Sequence, residues 1–446
     1  MKNIFILLVC LISQLAYADF NDASDAYANK KYQQAFNEFN RLAQLGNKRA
    51  QFNLGVMYLN GEFVEQDFFK AYAWGKLSEH SERPEFSQIR ETLEKELTEE
   101  GLDKAGSTFK AIKEAYGDEQ IYATLSPIVY QASDDKSENK TEYKLNVITR
   151  RAPRYPKEAY YDRIQGWATA GFEVHPDGTV RNPYIIDSYP ENTFEKETLK
   201  AVQKFKFEVQ FEPQVEPFVV QTRQTIQYSL ERLANPDKLR RYYDKRLQQL
   251  RELADQGSAQ AQYLYAIAAS SLLINKDNIM SQEEVNQWLL KSAQNGHVEA
   301  QYHLGKNILR GKGCKIEKQK GIDWIVYAAE QGHPRSSRTA YSLLTKHNNL
   351  NNTDKAAEYW LKQAAENGDA DSQLDYAEFL TNQENADLDN LILARKFLEK
   401  QAGLRDKSVK WYQVSASIYR QQGEAKKAEK HQKKANKMAN KLGWSI

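Results

Sequence analysis

Alternating apolar and polar side chains in the middle of the chain predict a β-strand. Four apolar residues occupy every second position: Ala168, Ala170, Phe172 and Val174. Thr169 and Glu173 fall between them, on the opposite face of an extended segment. Because successive side chains of a strand point to opposite faces, this pattern predicts a half-buried strand with one polar face.

The residues that follow predict a small module of mixed helices and strands. A Pro-Asp-Gly turn at residues 176–178 favours a hairpin, because proline presets its φ and glycine tolerates a left-handed conformation. After the turn, the pattern predicts a strand, a helix that begins near Asn192, and two further strands, at residues 180–187, 192–205, 207–211 and 220–230. This order of elements predicts an α+β fold.

On both sides of this module the pattern changes to that of repeated helices. Glycines recur after 39, 36 and 36 residues, at Gly257, Gly296, Gly332 and Gly368. Tryptophans recur with a period of 36, at Trp288, Trp324 and Trp360. We interpret each glycine as the left-handed cap that ends a helix. A single helical hairpin cannot bury its own apolar face, so the repeats predict a stacked all-α solenoid.

Specific motifs resemble two known families. The segments RYP at 154–156, IQGWATAGFEVHPDGTV at 164–180 and FEKETLKAV at 194–202 resemble the C-terminal domain of the TonB family. The phrase at residues 46–74 and the C-terminal glycine repeats resemble Sel1-like repeats, which are relatives of tetratricopeptide repeats. The resemblances imply a multi-domain α+β protein, in which all-α Sel1/TPR-like solenoid segments flank a TonB C-terminal-like domain.

The chain divides into five predicted segments. They are a signal peptide at 1–18, an N-terminal Sel1-like repeat with a helical extension at 19–130, a polar linker at 131–149, the TonB-like domain at 150–232, and a C-terminal solenoid at 236–446. Lys2, an apolar run at 4–12 and the small-residue site at 16–18 predict cleavage after Ala18, and hence a periplasmic protein. The alternative is that the run stays as an inner-membrane anchor, although it is shorter than the roughly 20 residues that span a bilayer.

Composition and motif content argue against several function classes. A formal net charge of +2 over 446 residues gives no sign of a nucleic-acid partner. We find no phosphate loop, catalytic triad motif or cysteine cluster, so we expect no enzyme activity and no cofactor. His297 and His303 are the nearest candidates for a metal pair, but six residues apart on a helix they face different directions, so we expect no metal site.

The remaining function class is protein binding. A small sheet with an open edge can accept an extended peptide as an added strand. The resemblance to TonB implies contact with an outer-membrane TonB-dependent receptor or another envelope transport protein. It also implies a set of partner-binding residues: Arg154, Tyr155, Pro156, Val220, Thr222, Gln224 and Ile226. For Tyr155 and Pro156, packing at the start of a helix is an equally good explanation.

Two arrangements follow from this interpretation. In the first, the protein is a periplasmic adaptor, and its solenoid grooves hold a second protein partner. In the second, it is a TonB energy transducer that drives receptor transport from an inner-membrane motor. The sheet edge could also pair two copies of the chain as a homodimer, and the sequence leaves this open.

Overall fold

A computed structural model gives the fold. It describes residues 20–79, 84–128, 143–162, 164–190, 192–215, 219–229, 236–269, 280–346, 355–382, 388–400 and 409–442. The predicted signal peptide and most of the predicted linker lie outside these residues. The described residues form two compact units, one from Met1–Ser126 with Lys291–Gln301 and one from Pro127–Leu290 with Tyr302–Ile446. No helix in the described part of the chain is both long and apolar enough to cross a membrane.

The first unit begins as a stack of helical hairpins. Its helices are α1 (Phe20–Ala28), α2 (Tyr32–Gln44), α3 (Lys48–Asn60), α4 (Phe68–Ser78), α5 (Gln88–Glu96), α6 (Glu99–Tyr116) and α7 (Asp118–Thr124). After α2, Gly46 adopts a left-handed conformation with a φ of +85° in the turn that leads to α3. Asn47 then begins α3, because its side chain accepts a hydrogen bond from the Ala50 amide at 2.9 Å. Phe39, Leu54 and Trp74 are buried together in the core.

The second unit contains the central module. Its elements are β1 (Tyr143–Thr149), α8 (Lys157–Tyr161), β2 (Gly166–Val174), β3 (Val180–Tyr189), α9 (Glu195–Val202), β4 (Lys206–Phe211) and β5 (Val220–Tyr228). All strands are antiparallel; β3, β2 and β5 form one sheet in that order, and β1 pairs with β4 in a second. The core of the module includes Phe172, Val202 and Phe205, which confirms the α+β prediction.

Strand β1 occupies a segment that the sequence analysis placed in the polar linker. Residues 143–149 pair with β4 instead of joining domains. Tyr143 and Leu145 pack against the module core, whereas Val147 and Ile148 are 42% and 66% exposed. The linker prediction was therefore too long at its C-terminal end. The cross-strand pairs of Tyr143 with Phe211 and of Leu145 with Val209 stabilise this pairing.

The C-terminal solenoid follows, and all of it except Lys291–Gln301 belongs to the second unit. Its helices are α10 (Pro236–Asp255), α11 (Ala259–Ala269), α12 (Gln282–Gln294), α13 (Val298–Arg310), α14 (Lys318–Glu330), α15 (Pro334–Lys346), α16 (Ala357–Glu366), α17 (Ala370–Thr381), α18 (Leu388–Lys400), α19 (Val409–Gln421) and α20 (Ala425–Leu442). The four repeat glycines all have φ between +84° and +94°, as the cap interpretation requires. Trp324 and Trp360 are fully buried.

Strand β2 is buried on both faces, whereas the alternation predicted a half-buried strand. Ala168, Ala170, Phe172 and Val174 do face the module core. Glu173 on the opposite face is nevertheless only 1% exposed. The reason is that the C-terminal solenoid covers this face: Glu173 contacts α15, and its strand neighbours contact α13 and α17. The polar face of β2, which the sequence pattern placed in solvent, therefore contacts another part of the same chain.

Candidate partner-binding surfaces

Strand β5, where four partner-binding residues were predicted, lies at the edge of the three-stranded sheet. It pairs with β2 through nine consecutive residue pairs, from Gly166 with Tyr228 to Val174 with Val220, without a bulge. Among the described residues β5 has no second strand neighbour. One side of its backbone is therefore outside any ladder, which is the condition for strand addition.

The predicted β5 side chains share one face, which packs on the module core. Val220 is 1% exposed in that core, and Ile226 packs against it. Thr222 and Gln224 are partly buried between them. The Gln224 Oε1 atom accepts a hydrogen bond from Arg150 Nη2 at 3.0 Å. These side chains serve the fold, so a partner on this edge would be held mainly through the strand backbone.

Of the three RYP residues, Tyr155 packs on the sheet and Pro156 lies at the start of helix α8, whereas Arg154 does neither. The Tyr155 hydroxyl donates to the Ile164 carbonyl at 2.6 Å, and its ring meets Phe194 edge-on at 5.8 Å. The Pro156 carbonyl accepts from the Tyr160 amide at 2.9 Å, which makes Pro156 the cap of α8. Arg154 is exposed. Tyr155 and Pro156 thus have sufficient structural roles, and a role in partner binding stays a prediction.

Two exposed tyrosines beside this motif were not singled out from the sequence. Tyr160 and Tyr161 are 58% and 78% exposed, and their rings meet edge-on with centroids 6.0 Å apart. Tyr160 also meets Tyr155 edge-on at 6.1 Å. Consecutive tyrosines in a short helix were the available signal. Large exposed aromatic side chains are enriched at protein interfaces, so this pair adds to the candidate surface.

A largely buried ionic cluster, centred on the buried Glu173, joins the polar face of the sheet to the solenoid. We define it as Glu173, His175 and Arg181 from the module with Arg338 and Asp371 from α15 and α17. The Arg338 guanidinium bonds the Glu173 carboxylate directly, and its Nη1 atom lies 3.0 Å from Asp371 Oδ2. Arg181 Nη1 lies 3.0 Å from Asp371 Oδ1. Each carboxylate is therefore held by at least one guanidinium.

The electrostatics of the cluster favour ionised Asp371. Burial by itself would raise the pKa of Asp371, but His175, whose Nε2 atom lies 3.1 Å from Asp371 Oδ2, and the charges of Arg338 and Arg181 lower the pKa well below its usual range. Asp369, at the cap of α17, behaves in the opposite way. Burial raises the pKa of Asp369 to about 6, and Arg338 opposes this only in part. The two carboxylates therefore titrate at different pH.

Three members of the ionic cluster also have the residue types of a metal site. The candidate ligand atoms of Glu173, His175 and Asp371 lie within 4.8 Å of one another. Both carboxylates already accept hydrogen bonds from arginine, however, so the positive charge that a metal would provide is present. We interpret the cluster as a contact between domains. The earlier candidates have other contacts: His297 Nδ1 accepts from the Ala300 amide at 3.2 Å, and His303 packs on Tyr263 with ring centroids 5.8 Å apart.

Two further contacts join the polar face of the three-stranded sheet to helices of the solenoid. Beneath edge strand β5, the Tyr302 hydroxyl on α13 donates to Gln221 Oε1 at 2.8 Å. Beside β3, the Arg335 guanidinium on α15 stacks on Tyr184, with Cζ 3.5 Å from the ring centroid. The first helices of three successive repeats are thus occupied by the chain's own sheet. The second partner predicted for the solenoid groove does not have this part of α13, α15 and α17 available.

These surfaces define a class of protein: a small α+β module with an open strand edge, held on a helical repeat scaffold. Residues 151–230 match the family profile described as Gram-negative bacterial TonB protein C-terminal. Residues 48–78, 298–333 and 351–369 match the Sel1 repeat. The chain therefore combines a TonB C-terminal domain with Sel1 repeats, and both of these domain types mediate protein–protein interaction.

Similar proteins match only parts of the chain. The TonB proteins of Escherichia coli K12 and Klebsiella pneumoniae are 37% and 36% identical over 62 residues, which is 14% of this chain and 26% of theirs. The chain thus covers about a quarter of these relatives. A Sel1 repeat protein from Oxalobacter formigenes aligns in structure with a TM-score of 0.37 and 24% identity, over 46% of this chain and 85% of that one. A protective antigen of uropathogenic Escherichia coli with an SLR fold aligns with a TM-score of 0.34 and 17% identity, over 95% and 69%.

Proposed function

We propose that this protein is a periplasmic, non-enzymatic adaptor of the Gram-negative cell envelope. In this proposal, its TonB-like module binds an extended segment of an outer-membrane receptor or another envelope transport protein, and its Sel1 repeats act as the scaffold. The match to the TonB C-terminal domain supports the envelope setting. The bulge-free edge of β5 is the observation that carries the binding proposal.

The other strand edges of the module are poorer templates. β3 shifts register against β2 at two places, and Asn182 within it has a φ of +48°. β1 shifts register against β4 between Val147 and Thr149. Bulges twist an edge and interrupt the even spacing of backbone donors and acceptors. β5 is therefore the strand on which a second chain could form the longest continuous ladder.

Site-specific photo-crosslinking in envelope preparations tests the proposal directly. A photoreactive amino acid replaces Gln227, which is exposed on β5, and in a matched control it replaces Lys196, which is exposed on α9. We expect Gln227 adducts that map to one extended segment of an envelope protein, and no such adduct from Lys196. Equal labelling from both positions, or no adduct from Gln227, would overturn the proposal.

A proline pair tests whether the strand backbone does the binding. Thr222 and Arg223 are neighbours on β5, so the N–H of one points to β2 and the N–H of the other to the open side. Proline at the outward position removes a donor that lies outside the ladder with β2, whereas proline at the inward position breaks that ladder. The variant that keeps the native melting temperature is the outward one, and it should lose the Gln227 adduct. An unchanged adduct in that variant would exclude strand addition.

A further inference from the structure

One face of helix α20 carries a row of exposed lysines. We define this lysine stripe by four side chains: Lys426, Lys430, Lys433 and Lys437. Steps of four, three and four residues keep side chains on one face of a helix, so the stripe follows about 17 Å of the helix axis. The opposite face is closed to solvent by three buried alanines, Ala428, Ala435 and Ala439. Helix α20 therefore has one alanine face and one cationic face.

The alanine face holds α20 against the preceding helix, α19. Ala435 and Ala439 share an apolar cluster with Val409, the first residue of α19. His431 Nδ1 lies 2.7 Å from Ser415 Oγ on α19. Among the side chains of α20 that the structure describes, no large apolar one is exposed. The cationic face is thus displayed by a packed helix, and it has no side chain that would enter a hydrocarbon layer.

Most of the positive charge of the stripe has no carboxylate partner. Lys433 Nζ lies 2.7 Å from Glu429 Oε1, and both side chains are largely exposed. Within the described ranges, the other three lysines of the stripe take part in no ion pair. Their ammonium groups are therefore available to external anions.

The charge of α20 exceeds what the end of a repeat stack requires. The last helix of such a stack must present a polar face to water, and mixed charges do this equally well. Helix α6, which also has 18 residues, has mixed charges, with three lysines, three glutamates and one aspartate. Helix α20 has seven lysines and one glutamate, a formal charge of +6, although the formal charge of the whole chain is only +2. Positive charge is therefore concentrated at this helix, and the remainder of the chain is net acidic.

The chemistry of the stripe favours a membrane surface over a protein partner. Protein interfaces are enriched in aromatic residues and arginine and depleted in lysine, and α20 contains no tryptophan, tyrosine, phenylalanine or arginine. A lysine ammonium is a hydrated point charge on a flexible stem, so it suits diffuse negative charge better than a fixed bidentate acceptor. Anionic headgroups spread such charge over a plane, which a straight row of lysines meets along its whole length.

We infer that the lysine stripe docks this protein on a membrane surface rich in anionic phospholipids. The docking is peripheral and electrostatic: the ammonium groups lie at the headgroup phosphates, and no side chain enters the acyl chains. This inference goes beyond the proposed adaptor function and does not depend on strand addition at β5.

Co-sedimentation with lipid vesicles tests the inference on the full chain without its predicted signal peptide. The vesicles contain phosphatidylcholine, either alone or with about one third of the anionic lipid phosphatidylglycerol. We expect the protein to bind only the anionic vesicles. Raising the salt concentration from about 0.1 to about 1 M shortens the Debye length from about 10 to about 3 Å, so it should release the protein.

Two triple variants assign the binding to the stripe. Each lysine near an anionic surface strengthens binding about fivefold, so Lys426→Gln, Lys430→Gln and Lys437→Gln together should weaken it about a hundredfold. The matched control removes the same charge from α6 through three exposed lysines, Lys104→Gln, Lys110→Gln and Lys113→Gln, and should bind like the native chain. Lysine and glutamine have similar helix propensities, so both variants should keep the native melting temperature.

The inference is wrong if the anionic vesicles bind no better than the neutral ones, or if the α20 variant binds them as well as the α6 variant does. Tighter binding of poly-glutamate or of oligo-dT than of anionic vesicles, lost in the α20 variant, would also overturn it, because the stripe would then serve a protein or a nucleic acid. None of these results changes the adduct expected at Gln227, so the proposed function is tested separately.

Discussion

Replacing Arg338 with methionine tests whether the ionic cluster holds the central module on the solenoid. Arg338 neutralises Glu173, which is 1% exposed, and Asp371, which is partly buried at this contact. Methionine keeps much of the side-chain volume but leaves both carboxylates without this guanidinium. Removal of one partner from a buried ion pair costs about 3–5 kcal/mol, because an uncompensated charge remains in a poorly solvated site.

The assay is calorimetric unfolding of the full chain combined with hydrogen exchange on β2. The second unit has about 300 residues, so an unfolding entropy of about 2.1 cal/mol/K per residue amounts to about 0.6 kcal/mol/K. We therefore expect the transition of this unit to fall by about 5–8 °C. Amides of residues 166–174 should exchange faster, because the loss is located at the polar face of that strand.

Two further variants decide whether the loss comes from the ionic cluster. Arg335→Met, on the same helix, removes a cation that stacks on Tyr184 and should cost only about 1 kcal/mol. Combining Glu173→Gln with Arg338→Met removes one stranded carboxylate and should restore part of the lost stability. An Arg338→Met variant no less stable than Arg335→Met, with unchanged exchange in β2, would refute the reasoning.

Three more predictions concern pH, the RYP motif and the N-terminus. The folded-state pKa of Asp369 is raised to about 6, so ionisation of Asp369 destabilises the fold increasingly between about pH 4 and 6. The Asp369→Asn variant keeps the cap of α17 but carries no charge. It should be more stable than the native chain at pH 8, by up to about 3 kcal/mol and with a higher melting temperature, and equally stable at pH 4. Tyr155→Phe should cost about 1 kcal/mol through the lost bond to Ile164, whereas Arg154→Ala should leave stability unchanged and reduce only the Gln227 adduct. Mass spectrometry of the purified protein should find Asp19 at the N-terminus, and an intact Met1 in the inner membrane would instead favour the energy transducer.

Local patterns in the sequence were sufficient for the elements of the fold. The alternation around Phe172 predicted β2 correctly, and the period of the repeat glycines predicted the helix ends, because each signal depends on residues close in the chain. The helix predicted to begin near Asn192 begins three residues later, at Glu195. The Asn192 backbone N–H donates to Glu195 Oε1 at 2.6 Å, but Asn192 itself has a φ of +59° and is not part of the helix.

The contacts of the polar face could not be predicted in the same way. Glu173 and Arg338 are 165 residues apart, and nothing near either residue identifies the other. A charged residue on a strand is usually solvated, so Glu173 indicated an exposed face. Only the folded chain shows that the solenoid meets the sheet there.

The fixed position of the sheet affects how binding at β5 can act on the rest of the protein. A partner strand would bond to β5, which bonds to β2 along its whole length. β2 is in turn held on α15 through Glu173, and β5 on α13 through Gln221. A pull on the partner would therefore load the repeats directly, without stretching a flexible connection. This arrangement is consistent with the proposed adaptor function, and it depends on the same ionic cluster that the Arg338 variant disrupts.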